Sequence, residues 1–185
     1  MNRLVRFSYR HLMTTGLILA VEILFYRQYA HLGAEFHFWL HGLFGAALGV
    51  SAVTTWRLMT NKTVPVTAWE AGFVGHVYSA VPDILFIAVG ILHMYWMDVF
   101  ALHISVHFIP APIPTMLGLF ILSLLAYGWA SDGRRKLAIA CLGLAGVVLC
   151  VSLLFRHPIP TSLRHLQRHD HSYVWLCPMW DLYRS

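Results

Sequence analysis

Phe36-His37-Phe38-Trp39-Leu40-His41-Gly42-Leu43-Phe44-Gly45-Ala46-Ala47-Leu48-Gly49-Val50-Ser51-Ala52-Val53-Thr54-Thr55-Trp56 runs without a single Asp, Glu, Lys or Arg. A bilayer's hydrocarbon core takes roughly 20 apolar residues of helix, so residues 36–56 read as a membrane span. The run opens on two histidines at i and i+4. Gly42, Gly45 and Gly49 then follow at a small-residue spacing that lets a neighbouring helix come close. An apolar helix that begins with two ligand-type side chains sets two questions for the rest of the chain: how many more spans there are, and what the histidines meet.

Four further apolar runs answer the first. Residues 12–29 form one, interrupted by Glu22; residues 66–97 form a long one with Pro82 inside it; residues 113–130 follow the breakers Pro110, Pro112 and Pro114; residues 137–155 end before Pro158 and Pro160. The third run reads either as one tilted span kinked at Pro82 or as an interfacial helix followed by a shorter span, because proline removes a backbone donor and bends a membrane helix. The expected fold is therefore all-α, a single polytopic transmembrane helix bundle of about five spans with a His- and aromatic-rich tail over residues 156–185. The chain of 185 residues is 58% hydrophobic and 11% charged, against about 25% charged in a soluble domain. No polar linker divides it. Cys141, Cys150 and Cys177 make no C-x-x-C, and Cys141 and Cys150 sit in one apolar run, so a disulfide framework is not expected.

The net charge of +5 lies in short clusters between apolar runs, which is a topology signal and not a nucleic-acid surface. With the basic N-terminus (Arg3, Arg6, Arg10) in the cytoplasm, the loop with Arg57 and Lys62 and the loop with Arg134, Arg135 and Lys136 also fall inside, as the positive-inside rule requires. The C-terminus falls outside. The N-terminal run has Glu22 and no small-residue cleavage site, so it reads as an anchor and not a signal peptide. Trp39, Trp56, Trp69, Trp96, Trp129, Trp175 and Trp180 sit mostly near span ends, as an aromatic belt does.

The chain has 12 histidines. Under this topology His31, His37, His41, His93, His103, His107, His157, His165, His169 and His171 lie at or near the outer face, His11 lies inside and His76 lies mid-span. Histidine played no part in the charge argument that sorts them. If residues 93–107 are helical, His103 and His107 stand one turn apart and can hold one metal ion. His93 would need a bend to join them, roughly 15 Å away along a straight helix. Asp98 would point elsewhere, to orient a histidine or to ligate a second ion. His37 and His41 make a second such pair. Pro82 and Asp83, with Glu70 and His76 upstream, place a carboxylate where a span opens. Ionisable groups inside a membrane are costly and mark function. Against this, a lone buried histidine such as His76 or His93 is ordinarily a hydrogen-bonded packing residue. His31 and His157 fit an interfacial role, and the tail's His165, His169 and His171 fit a solvated face. The metal reading rests on His37, His41, His103 and His107 with Asp98, His93 and His76 as further ligands, and on Asp83 and Asp98 as catalytic carboxylates.

His41-Gly-Leu-Phe-Gly-Ala-Ala-Leu-Gly49, then Ser79-Ala-Val-Pro82-Asp83-Ile-Leu-Phe86, then His103-x-x-x-His107 together resemble the membrane-bound metal-dependent hydrolase family of bacterial inner membranes. The likeness covers about a third of the chain. Leu85 stands where that family has a second aspartate, and no His-Arg start precedes the histidine pair. The resemblance implies a metal-dependent hydrolase, with His93 and Asp98 answering to the family's late His-Asp motif.

Three functions follow from these residues. The first is a divalent-metal enzyme, zinc before other ions, hydrolysing a lipid-linked or phosphoryl substrate: the metal activates water and Asp83 or Asp98 is the base. The second is a redox protein holding haem b between His41 and His103 or His107, or holding copper. The third is a non-catalytic accessory subunit of a membrane complex, or a homo-oligomer. The bilayer itself is a partner in all three. No nucleotide loop, Rossmann fingerprint or Ser-His-Asp order is present.

Overall fold

The computed structural model describes residues 9–62, 65–90 and 95–157. Among them are six α-helices and two short 3-10 helices. The helices are α1 (Tyr9–His31), α2 (Glu35–Thr60), α3 (Ala68–Ser79), α4 (Val81–Val89), α5 (Pro112–Ser131) and α6 (Arg135–Leu154). The 3-10 pieces, Tyr95–Val99 and Ser105–Phe108, lie between α4 and α5. The class is all-helical, as expected. Three helices, α2, α5 and α6, are long and apolar enough to cross a membrane, and α3 with α4 makes a fourth if the bent pair is one span. The run 12–29 does appear as α1, but Arg10, Glu22, Arg27 and Gln28 dilute it and it falls outside that set.

The long third run is not one helix. It breaks at Ala80 and turns by 51°. Pro82 sits at the start of α4, where its missing N–H removes no intrahelical bond. The helix then stops at Val89, well short of residue 97, with Gly90 in the left-handed region at φ 71°. Thr67 caps the start of α3: its hydroxyl accepts from the Glu70 N–H at 3.1 Å while Glu70 accepts from the Thr67 N–H at 2.8 Å, a reciprocal capping box.

Helix α2 is the centre of the bundle, with α3 on one side and α5 on the other, and α6 packs on α5. Leu40, Phe44 and Ala47 of α2 join Val106 and Ile109 of the segment before α5 and Met116 and Leu119 of α5 in the main apolar core. At Gly45, Gly49 and Gly75 the crossing of α2 on α3 sets backbone against backbone. A Cβ on Gly45 would overlap the Gly75 carbonyl, one on Gly75 would overlap the Gly45 carbonyl, and one on Gly49 would overlap the Ala71 carbonyl.

One end of the bundle gathers the basic loops. Arg57 donates to Ser131 Oγ at 2.9 Å, Arg135 donates to Asn61 Oδ1 and to the Leu58 carbonyl, and Arg10 reaches the Pro65 carbonyl at 3.4 Å. His37 and His41 lie at the other end of α2, about 30 Å away at 1.5 Å per residue.

Gly75→Ala should therefore destabilise the protein by an overpacking cost of about 1–3 kcal/mol. Gly118→Ala should be neutral or mildly stabilising, since a Cβ there meets nothing within 4 Å. Thermal unfolding of both variants in detergent checks the pair, and equal melting temperatures would show that the crossing tolerates a methyl group.

Candidate metal centre

The end of the bundle away from the basic loops holds four histidines and an aspartate drawn from three parts of the chain. Helix α2 supplies His37 and His41, one turn apart and 2% and 0% exposed. The bend between α3 and α4 supplies Asp83, buried in the first turn of α4. The turn after α4 supplies His103, fully buried, and His107, partly exposed. That turn is not the helix which the spacing of His103 and His107 suggested. Ala101 and Leu102 take left-handed φ values of 56° and 52° and separate two 3-10 pieces, Tyr95–Val99 and Ser105–Phe108. Val106 N–H donates to the Leu102 carbonyl at 3.0 Å and His107 N–H to the Ile104 carbonyl at 3.2 Å, so the two histidines are joined by one short coil and not by a regular α-helix.

His37, His41 and His107 form one group whose ligand atoms all lie within 4.8 Å of one another, and His41, Asp83 and His103 form a second. His41 belongs to both. Its Nε2 is 3.2 Å from His107 Nε2, and its ring stacks on His103 with centroids 3.9 Å apart and planes 9° from parallel. The His37 and His107 rings approach to 4.6 Å. His103 Nε2 lies 3.4 Å from Asp83 Oδ1.

Two outer contacts orient these groups. A carbonyl can only accept, so His103 Nδ1, 3.0 Å from the Ser79 carbonyl, carries the proton. Its other nitrogen, Nε2, faces Asp83. The Tyr29 hydroxyl donates to Asp83 Oδ2 at 2.7 Å, leaving Oδ1 toward the histidines. A carbonyl or carboxylate behind a histidine, and a donor behind a carboxylate, are the usual supports of a metal or proton-transfer site. The donor sets fit a divalent ion: three imidazoles in the first group, two imidazoles and a carboxylate in the second. His41 Nδ1 is buried and has no hydrogen-bond partner among the described residues, a cost that a buried polar atom ordinarily avoids.

The structure thus brings together His37, His41, His103 and His107, and sets Asp83 beside them. It does not bring in Asp98. That carboxylate sits in the first 3-10 piece and takes hydrogen bonds from the Ile104 and Ser105 N–H groups at 2.7 and 2.9 Å and from Ser105 Oγ at 2.6 Å. It staples the histidine turn and does not face the metal groups. His76 is also separate: its Nδ1 pairs with Glu22 Oε1 at 2.9 Å across α1 and α3. It packs edge-on against Phe25 and Phe38. His93, His165, His169 and His171 lie outside the described residues, and His157 is exposed at the end of α6.

Sequence reasoning missed Tyr29 and the Ser79 carbonyl, and it left Glu22 as a mere interruption. A signal for the α1 residues was present. Ile18, Glu22, Phe25 and Tyr29 recur at helical spacing, and Ile18 and Tyr29 are the buried residues of α1. Compared with known proteins, the chain matches no family model, no curated protein and no solved structure.

The Glu22–His76 pair is the polar contact that ties α1 to α3. Glu22→Ala should lower stability by about 1–3 kcal/mol, because it strands a buried hydrogen-bonding group. The double variant with His76→Ala should lose less than the sum, with a coupling of roughly 0.5–3 kcal/mol. Detergent unfolding of the two single variants and the double variant measures this, and strict additivity would show that the pair does no work.

Proposed function

We propose that this chain is an integral membrane protein of five spans that binds a divalent metal at its non-cytoplasmic end and hydrolyses a lipid-linked or phosphoryl substrate there. The observation that carries the reading is the convergence of His37, His41 and His107 with Asp83 and His103 at one end of an apolar bundle. The residues of the hydrolase resemblance, His41, Pro82-Asp83 and His103-x-x-x-His107, are largely those that converge, which supports the likeness to membrane-bound metal-dependent hydrolases and, through it, a bacterial inner membrane. The contacts among Arg10, Arg57 and Arg135 loops at the opposite end support a cytoplasmic N-terminus under the positive-inside rule.

In this reading His37, His41 and His107 hold the ion, and a three-histidine set leaves a position open for water or substrate. When bound, a divalent ion supplies Lewis acidity and a water that ionises near neutral pH. Asp83 is the base. Tyr29 holds one of its oxygens and the other faces His103 Nε2, so a proton taken by the carboxylate has the imidazole as its next acceptor. The Ser79 carbonyl keeps that imidazole in the accepting tautomer.

Imidazole and carboxylate without thiol suit zinc, and imidazole also suits copper. Haem is the poorer fit. His41 and His103 stack in parallel at 3.9 Å, whereas two axial ligands point at each other across the porphyrin.

Metal analysis with an absorption spectrum on the detergent-purified protein tests this first. Stoichiometric zinc without colour is expected, and His41→Ala should lose it. Asp83→Asn and Tyr29→Phe should both keep zinc. Phosphate release from phosphatidic acid micelles should vanish in Asp83→Asn, and in Tyr29→Phe it should fall about 10–100-fold, as for other losses of an outer support. A Soret band or stoichiometric copper would transfer the protein to redox chemistry. Absence of metal after reconstitution would leave an accessory subunit.

A further inference from the structure

His76 follows Gly75, which seats on Gly45 partway along α2. Its Nδ1 lies 2.9 Å from Glu22 Oε1, and the two side chains are 5% and 19% exposed. An ionisable pair inside an apolar bundle is costly. Apolar side chains of similar volume would join the two helices as well or better. Cohesion alone therefore does not call for a carboxylate and an imidazole here.

The other nitrogen of the ring, Nε2, is buried and has no hydrogen-bond partner among the described residues. Space adjoins it. A Cβ built on Gly42 would stand 3.4 Å from His76 Nε2, and its nearest neighbours outside α2's own backbone would all be atoms of that ring. Helix α2 thus leaves room for one atom the size of a water oxygen beside an unpaired nitrogen. Two more buried polar atoms lack a partner among the described residues: Ser79 Oγ, three residues further along α3, and His41 Nδ1, on the residue before Gly42. Both are within about one helical turn of His76 or Gly42 along the chain. Such atoms are rare in proteins, and a buried water needs two or more of them. The ring's remaining neighbours are Phe25 of α1 and Phe38 of α2, so Glu22 is the one ionisable group among the side chains that face it.

We propose that bound water in the seam between α2 and α3 joins the histidine centre to the Glu22–His76 pair, and that this pair accepts the proton released at the centre. His41, with Nε2 turned to the metal group, donates its Nδ1–H to the water, as ligand histidines ordinarily do. The Ser79 hydroxyl is a second partner. In the resting form His76 donates Nδ1–H to Glu22 and accepts at Nε2. The water gives its proton to Nε2 and regains one from the Asp83–His103 pair. One proton leaves that pair, one is gained by His76, and the imidazolium so formed lies against the Glu22 carboxylate. This inference rests on the hydrolase reading for the source of the proton, and on the geometry of the seam for its path.

The test uses the full chain in detergent with isotopically labelled histidine, the His76 signals being assigned by their loss in His76→Gln. The first readout needs neither metal nor substrate: a magnetic-resonance cross-peak between water and the carbon-bound proton on His76 Cε1, which a Cβ on Gly42 would also approach to 3.4 Å. Wild type should show it although the ring is buried. Gly42→Ala, whose methyl group occupies that space at ordinary contact distance, should lose it while keeping the melting temperature. The second readout is phosphate release from phosphatidic acid micelles by zinc-loaded protein. Gly42→Ala and His76→Gln should retain zinc and KM and lose kcat on the order of 100-fold, the worth of a positioned proton acceptor. A wild-type ring with no water cross-peak would overturn the hydrated seam. A cross-peak combined with undiminished kcat in both variants would overturn the acceptor role. Wild-type protein that shows the cross-peak but neither takes up zinc nor releases phosphate would count against the hydrolase reading and leave the hydrated seam supported.

Discussion

Where α2 crosses α3, backbone meets backbone. Gly45 and Gly75 each lie under the other's carbonyl, and Gly49 lies under that of Ala71. In a bilayer there is little hydrophobic drive between helices, so close packing of small residues carries the association. This contact has a chemical consequence. His41 is one turn before Gly45, and Ser79 is one turn after Gly75. Seating one glycine on the other therefore brings the end of α3 to the histidine end of α2, where the Ser79 carbonyl holds His103 against His41, and the bend that follows turns Asp83 toward the same place. A methyl group in the crossing would push apart the two walls of the site.

Once several imidazoles and a carboxylate are enclosed, their polar atoms need partners, because an unpaired buried polar group costs about 1–3 kcal/mol. Helix α1 meets that demand for Asp83 and His76. Its inward stripe carries Tyr29 for Asp83 and Glu22 for His76, with Phe25 and Phe38 closing around His76. Glu22, together with the exposed Arg10, Arg27 and Gln28, makes α1 less apolar than α2, α5 and α6. Its buried face is a polar support for the cluster, while Leu17, Ile23 and Leu24 remain exposed on the outside.

The spans bounded by strong punctuation were legible. Residues 113–130 appear as Pro112–Ser131 and residues 137–155 as Arg135–Leu154, because prolines on one side and charges on the other mark their ends. Pro82 announced a break but not its sharpness. The stop at Val89 rests on Gly90, a residue that also occurs inside membrane helices. The turn that follows was illegible, since Ala101 and Leu102 are residues that give no sign of left-handed backbone. His103 and His107 were singled out for a place on one helix over 93–107; what carries them is a short coil that follows the left-handed Ala101 and Leu102. Asp98 was singled out for its chemistry, yet its position opposite two free N–H groups makes it a clamp for the backbone. The pairing of Tyr29 with Asp83 spans residues far apart in the chain, which no local pattern encodes.

The histidine turn is thus held against a preference. Left-handed conformations cost non-glycine residues roughly 1–2 kcal/mol each, and two adjacent residues here adopt them. Asp98 offsets this with bonds to two backbone N–H groups and to Ser105 Oγ, and Arg156 ties the same hydroxyl to the end of α6. His107 depends on that fastening, because a 3-10 piece as short as Ser105–Phe108 has little stability of its own. Asp98 therefore acts on the site at one remove, through the conformation of the segment that carries His103 and His107. The site is built from opposite sides: α1 holds Asp83 through Tyr29, and the Asp98–Ser105–Arg156 chain holds the histidine turn down onto α2.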